Sequence, residues 1–74
     1  MRITYDKRAD AAYITLGDTE IPAGGVSRTV GCDPSREMIN LDFDDQGYLL
    51  GIEVIDASKK LSPKLLRTAI RIDH

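Results

Sequence analysis

Asp42, Asp44, Gln46 and Glu53 place side-chain oxygens at the first, third, fifth and twelfth positions of one window, with Gly47 at the sixth. That is the spacing with which an EF-hand loop wraps calcium. Such a loop needs a helix entering and a helix leaving, and the flanks here have a different period. Ile39, Leu41 and Phe43 alternate with Asn40, Asp42 and Asp44 before the turn, and Leu50, Ile52 and Val54 alternate after it. Alternation with β-branched residues is the pattern of a strand wet on one face. Asp45-Gln46-Gly47 supplies a short turn and a glycine for the positive φ it requires. The stretch therefore reads as a β-hairpin whose acids face outward. Asp42, Asp44 and Glu53 would serve a metal only if that reading failed, so no metal and no cofactor are expected.

Other chemistry is sparse. The single histidine, His74, sits at the chain end and offers no base for a serine or cysteine nucleophile. Cys32 follows Gly31 with no neighbouring base to lower its pKa, and is expected to be a small buried residue. Tyr5, Tyr13 and Tyr48 have no bases interleaved with them, which favours core or interface roles over base stacking. Gly24-Gly25 leads into a strand and opens no helix, so it cradles no phosphate. No catalytic residue is expected, and the chain is read as a non-enzyme.

The elements that must position these residues are short. Arg2 to Asp6 and Ala11 to Leu16 alternate as strands, and Gly17 to Gly25 is too rich in glycine and proline for regular structure. Val26 to Val30 reads as an edge strand, followed by a turn at Asp33-Pro34-Ser35. The hairpin comes next, with Asp56 to Lys60 as its exit. Ser62 is a good helix N-cap, Pro63 suits the first helical position, and Leu61 can staple against Leu66. Leu65, Leu66, Ala69 and Ile70 form an apolar stripe on a helix of about ten residues, too short to stand without docking on the sheet.

At 74 residues the chain is one domain, 1–74, and folding at this size buries only about 60% of the unfolded surface. Its apolar fraction of 42% is too high for a disordered protein. One cysteine permits no internal disulfide, which fits a reducing cytoplasm, and no apolar run suggests export or a membrane span. A net charge of −2 disfavours a general nucleic-acid binder. Seven acids lie between Asp33 and Asp56, and five bases lie between Ala57 and Ile72. These segments are expected to lie close and partly neutralise each other. The weaker alternative is a phosphate-binding face of Lys59, Lys60, Lys64, Arg67 and Arg71.

The run Tyr5-Asp-Lys-Arg-Ala-Asp-Ala-Ala-Tyr-Ile14 resembles the opening of the small prokaryotic proteins grouped as domain of unknown function family 2283. Asp42-Phe-Asp-Asp-Gln-Gly47 and Gly51-Ile-Glu-Val-Ile-Asp-Ala-Ser58 are similar to that family's second half. Arg8, where the family often has an acid, and the glycine-rich loop before Val26 depart from its pattern. The resemblance implies a compact β-fold and no assigned activity. In physical terms Gly51 admits a bulge or the close packing of another backbone in mid-strand, and Glu53 could bridge to a base such as Arg2 or Lys59.

The expected fold is α+β: an antiparallel β-meander of about five short strands with one short C-terminal helix on one face. The leading functional expectation is a non-enzymatic interaction module, a homo-oligomer and most simply a dimer, that could also engage another protein. Leu49 and Ile55 point away from Leu50, Ile52 and Val54, and Tyr13 opposes Ile14, so a second apolar face built on Leu49, Ile55 and Tyr13 is expected to be covered by a second copy. The alternative is a small-molecule or metal-binding protein using Asp42, Asp44 and Glu53. Gly47, Gly51, Ser62 and Pro63 are read as structural.

Overall fold

The structure, a computed structural model, describes residues 1–32 and 38–73. In chain order these form strands β1 (Arg2–Asp6), β2 (Ala11–Thr15), β3 (Arg28–Gly31), β4 (Ile39–Phe43) and β5 (Leu49–Ile55). Helices α1 (Ala57–Lys60) and α2 (Pro63–Thr68) follow, and strand β6 (Ile70–Arg71) ends the fold.

The sheet order is β3-β4-β5-β2-β1-β6. Two hairpins, β1-β2 and β4-β5, lie side by side, with β5 against β2. The fold is therefore α+β, but the meander of five strands is corrected to a six-strand mixed sheet in which β6 runs parallel to β1. The reason is burial: β2 and β5 carry Ala12, Ile14, Ile52 and Val54, and pairing them sets these side chains together at the sheet centre, with Ala12 opposite Val54 and Ile14 opposite Ile52.

The helical part also differs from the sequence reading. The exit after the hairpin is itself a helical turn, α1, and the ten-residue helix stops at Thr68 because Ala69 adopts an extended backbone, φ −73 and ψ 150. Ile70 therefore joins β6 instead of a helical stripe, and is 52% exposed. The start of α2 is as expected, with Pro63 first and the Ser62 side chain accepting the Leu65 N–H at 3.1 Å. Leu61 and Leu66 both pack on the core, the staple arrangement.

The hairpin forms as read. Asp44 N–H donates to the Tyr48 carbonyl, Gly47 N–H to the Asp44 carbonyl, and Gly47 has φ +88. The Asp44 carboxylate accepts the Gln46 and Tyr48 N–H groups at 3.0 and 2.9 Å, so this acid holds the turn. Cys32 is a correction: it is exposed at the end of β3, its N–H donating to the Ile39 carbonyl. An edge strand has no neighbour on its outer side to cover such a residue. Tyr48, in the turn, is likewise 68% exposed, whereas Tyr5 is buried. The expected turn at Asp33-Pro34-Ser35 and the placement of His74 lie outside the described residues.

Candidate functional site

Register sorts the side chains into rows. On the helix-bearing face, one row runs Ile39, Val54, Ala12, Tyr5 and Arg71 across five strands. Val54, Ala12 and Tyr5 are buried beneath Ala57, Leu61, Leu66 and Ala69. The neighbouring row runs Val30, Leu41, Ile52, Ile14 and Ile3. Every member is apolar, yet only Ile52 packs against the core cluster and none of the five is buried. The helices are short and sit over the first row, and the second is bare of them: Val30 is exposed, while Leu41, Ile52, Ile14 and Ile3 are half-buried.

The opposite face is polar. One of its rows runs Asn40, Glu53, Tyr13 and Thr4, and another Thr29, Asp42, Gly51, Thr15 and Arg2. Tyr13 Oη donates to Asp42 Oδ2 at 2.6 Å, Thr29 Oγ1 donates to Asp42 Oδ1 at 2.6 Å, and Asn40 Nδ2 donates to Glu53 Oε1 at 3.0 Å. Burial, and then the hydrogen bond to Asp42, push the Tyr13 phenol well above its ordinary pKa, so it stays a neutral donor. A Cβ on Gly51 would meet the Tyr13 ring, with ring carbons at 2.6 Å. The backbone expected to pack close at this glycine is not what comes near it; an aromatic side chain takes that place. A register shift where Asp42 and Phe43 face Gly51 and Leu49 supplies the bulge. Above this face, between the sheet and the β2–β3 loop, lies an open groove of about 470 Å³ bordered by Arg2, Thr4, Tyr13, Thr15 and Glu20. Arg2 Nη2 pairs with Glu20 at 3.0 Å across it.

A third cluster joins the first hairpin to α1. Asp10, at φ +52, accepts Tyr5 Oη at 2.7 Å and Ser58 N–H at 3.0 Å on Oδ1, and Ser58 Oγ at 2.7 Å on Oδ2. Its carbonyl accepts the N–H of Ala57, which is fully buried. Asp56, the N-cap residue of α1, makes no side-chain cap, so Asp10 does this work from the far hairpin. The Ser58 hydrogen bond, and then that from Tyr5, hold the Asp10 carboxyl below its usual range.

The residues singled out in the sequence now have places. Asp42, Asp44 and Glu53 are engaged by Tyr13 and Thr29, by the turn amides, and by Asn40 respectively. They form three separate structural contacts, and Glu53 meets Asn40 where a bridge to Arg2 or Lys59 was expected. Among the described residues no group of three His, Cys, Asp or Glu side chains is close enough to hold a metal ion. Tyr13 and Ile55 lie on the polar face, where Tyr13 stands opposite Glu53, and Leu49, 37% exposed, pairs with Phe43 beyond the register shift. The expected neutralisation between acidic and basic segments is not what the ion pairs do. Among the described residues they join Met1 to Asp18, Arg2 to Glu20 and Arg71 to Asp73.

Sequence reasoning passed over the Tyr5, Asp10 and Ser58 contacts, because residues 48 positions apart meet only through β5 beside β2. The available signal was an aspartate before a strand, a residue type that tolerates a left-handed backbone.

Comparison with known proteins gives one match. The model of a family described as "Protein of unknown function (DUF2283)" matches residues 2–58 of the 74-residue chain. No curated protein and no solved structure matches. The matched span ends at Ser58, so it contains every member of the Tyr5, Asp10 and Ser58 cluster.

Proposed function

The chain belongs to the DUF2283 family, whose description carries no activity, and on that premise we propose a non-enzymatic role read from the fold: a self-associating interaction module. A second copy docks on the bare row of Val30, Leu41, Ile52, Ile14 and Ile3. The observation that carries this reading is the thinness of the core. Among the described residues the buried hydrophobics are Tyr5, Ala12, Val54 and Ala57, and no large side chain is fully buried. Chains of this size commonly gain the missing apolar burial through a partner, and two-fold dimers are the simplest arrangement. The row has no charge along its length, so the same row on a second copy can face it without stranding an ion. The polar face is a poor alternative, because its Tyr13 and Asp42 hydrogen bonds are already satisfied and offer little apolar area to bury. A cytoplasmic setting agrees with an exposed thiol at Cys32.

The test is light scattering across a range of protein concentrations, with Val30→Glu and Leu41→Glu beside the parent. A parent dimer, and folded monomers for both variants by circular dichroism, support the reading. A parent that stays monomeric, or dimers that survive both changes yet fail with Leu49→Glu and Ile55→Glu, reject the bare row. Val30 is 40% exposed at the sheet edge, so its substitution tests association without opening the core.

A further inference from the structure

We propose that the pocket between α2 and the β1-β6 edge binds a small phosphate monoester in its dianionic form. The cavity is about 340 Å³, and its lining includes Lys7, Arg67 and Arg71 but no carboxylate. Arg71 is already taken: its Nε and Nη2 donate to the two oxygens of Asp73 at 2.7 and 2.6 Å, and its guanidinium lies 5.9 Å from the Tyr5 ring centre. Among the described residues Lys7 and Arg67 have no ion pair. Three carboxylates stand behind this lining: Asp10 accepts from Tyr5 and Ser58, Asp73 accepts from Arg71 and from the Lys7 backbone, and Asp6 acts on Arg71 from β1. Those carboxylates are committed to other donors, so among the described residues Lys7 and Arg67 border the cavity as cations without an ion pair.

Those two cations select the ligand. A phosphate monoester carries close to two negative charges at neutral pH, since its second pKa is about 6. A lysine and an arginine are the side chains that recognise it, the arginine through its planar fork. The hydroxyl protons of Tyr5 and Ser58 are committed to Asp10, so binding rests on the cations. Pro63 and Leu66 add an apolar wall for the carbon group of the ester. The pocket shares no residue with the bare row, so this inference stands apart from self-association.

The probe is phenyl phosphate, titrated into the whole chain at constant ionic strength and followed by amide chemical shifts. We expect saturable shifts at Lys7, Ser58, Arg67 and Arg71. Lys7→Gln combined with Arg67→Gln should weaken binding at least about tenfold with an unchanged melting temperature, because both side chains are exposed and, among the described residues, without an ion pair. Affinity should also fall between about pH 7.5 and about pH 5 as the ester becomes a monoanion. No saturation by about 10 mM phenyl phosphate, the weak end of specific recognition, overturns the proposal. Equal binding by the folded double variant also overturns it. So does tighter binding of a single-stranded oligonucleotide, which would assign these bases to a phosphodiester backbone.

Discussion

Gly51 is a glycine because the Tyr13 ring occupies the space a Cβ would need. Gly51→Ala should therefore displace that ring and loosen its hydrogen bond to Asp42, whereas in a Tyr13→Ala background the same change should cost less. Chemical denaturation of the four chains gives the coupling directly, and a coupling of zero would show that ring and glycine do not interact. Gly47 is a glycine for a different reason, its φ of +88. Gly47→Val should destabilise by about 1 kcal/mol or more, since a β-branched residue resists a left-handed backbone, and equal melting temperatures would contradict this. At Asp10 the consequence concerns pH. Its carboxyl has a folded pKa below the ordinary value, which is about 3.9 in the unfolded chain. Stability from this group is present above that value and is lost as pH falls through the folded one. Asp10→Asn should thus melt lower than the parent at neutral pH, and the gap should narrow on acidification below about pH 4. A gap that stays constant would show that Ser58 and Tyr5 are indifferent to the charge.

At the scale of elements, α2 has six residues and lives by its cap and its docking. Ser62→Ala removes the acceptor for the Leu65 N–H and should cost about 1 kcal/mol in denaturant midpoint analysis. A loss near zero would mean that packing of Leu61 and Leu66 alone holds the turn. The short α1 is capped from another hairpin, so its formation is tied to β5 lying beside β2. β6 depends on the same assembly: it pairs only two positions of β1, Thr4 with Ile70 and Tyr5 with Arg71, and the Arg71 to Asp73 ion pair sits at its end. The proposed phosphate site belongs to this scale as well, because the β1–β2 turn and α2 contribute its two cations, Lys7 and Arg67, and the edge strand closes its wall with Arg71.

For the whole molecule the decisive feature is a sheet with one polar face and one apolar face that is only half covered. If a second copy completes the cover, the melting temperature should rise with protein concentration, since association stabilises the folded state by mass action. A melting temperature independent of concentration would speak against the dimer. Charge is distributed along the strands as well. Asp18, Glu20, Asp44 and Asp45 lie on the loops beyond β2 and β4, while Lys59, Lys60, Lys64 and Arg67 lie on the two helices at the other end. Among the described residues no ion pair joins these groups.

The amino-acid sequence by itself determined what is local. Alternation at Ile39, Leu41 and Phe43, the Asp45-Gln46-Gly47 turn, and the Ser62-Pro63 helix start each depend on neighbours a few positions apart, and each stands where it was read. The tertiary structure alone decided what depends on distant partners. Alternation says that a strand has two faces but not which strand lies beside it, so pairing β5 with β2 was hidden, and with it the bare row and the Asp10 clamp. The opposite face also proved polar: Tyr13 is apolar by composition yet its hydroxyl found Asp42, a residue 29 positions away. Helix length was set by tertiary pairing too, because a chain that could continue past Thr68 gained two edge-strand pairings with β1 instead.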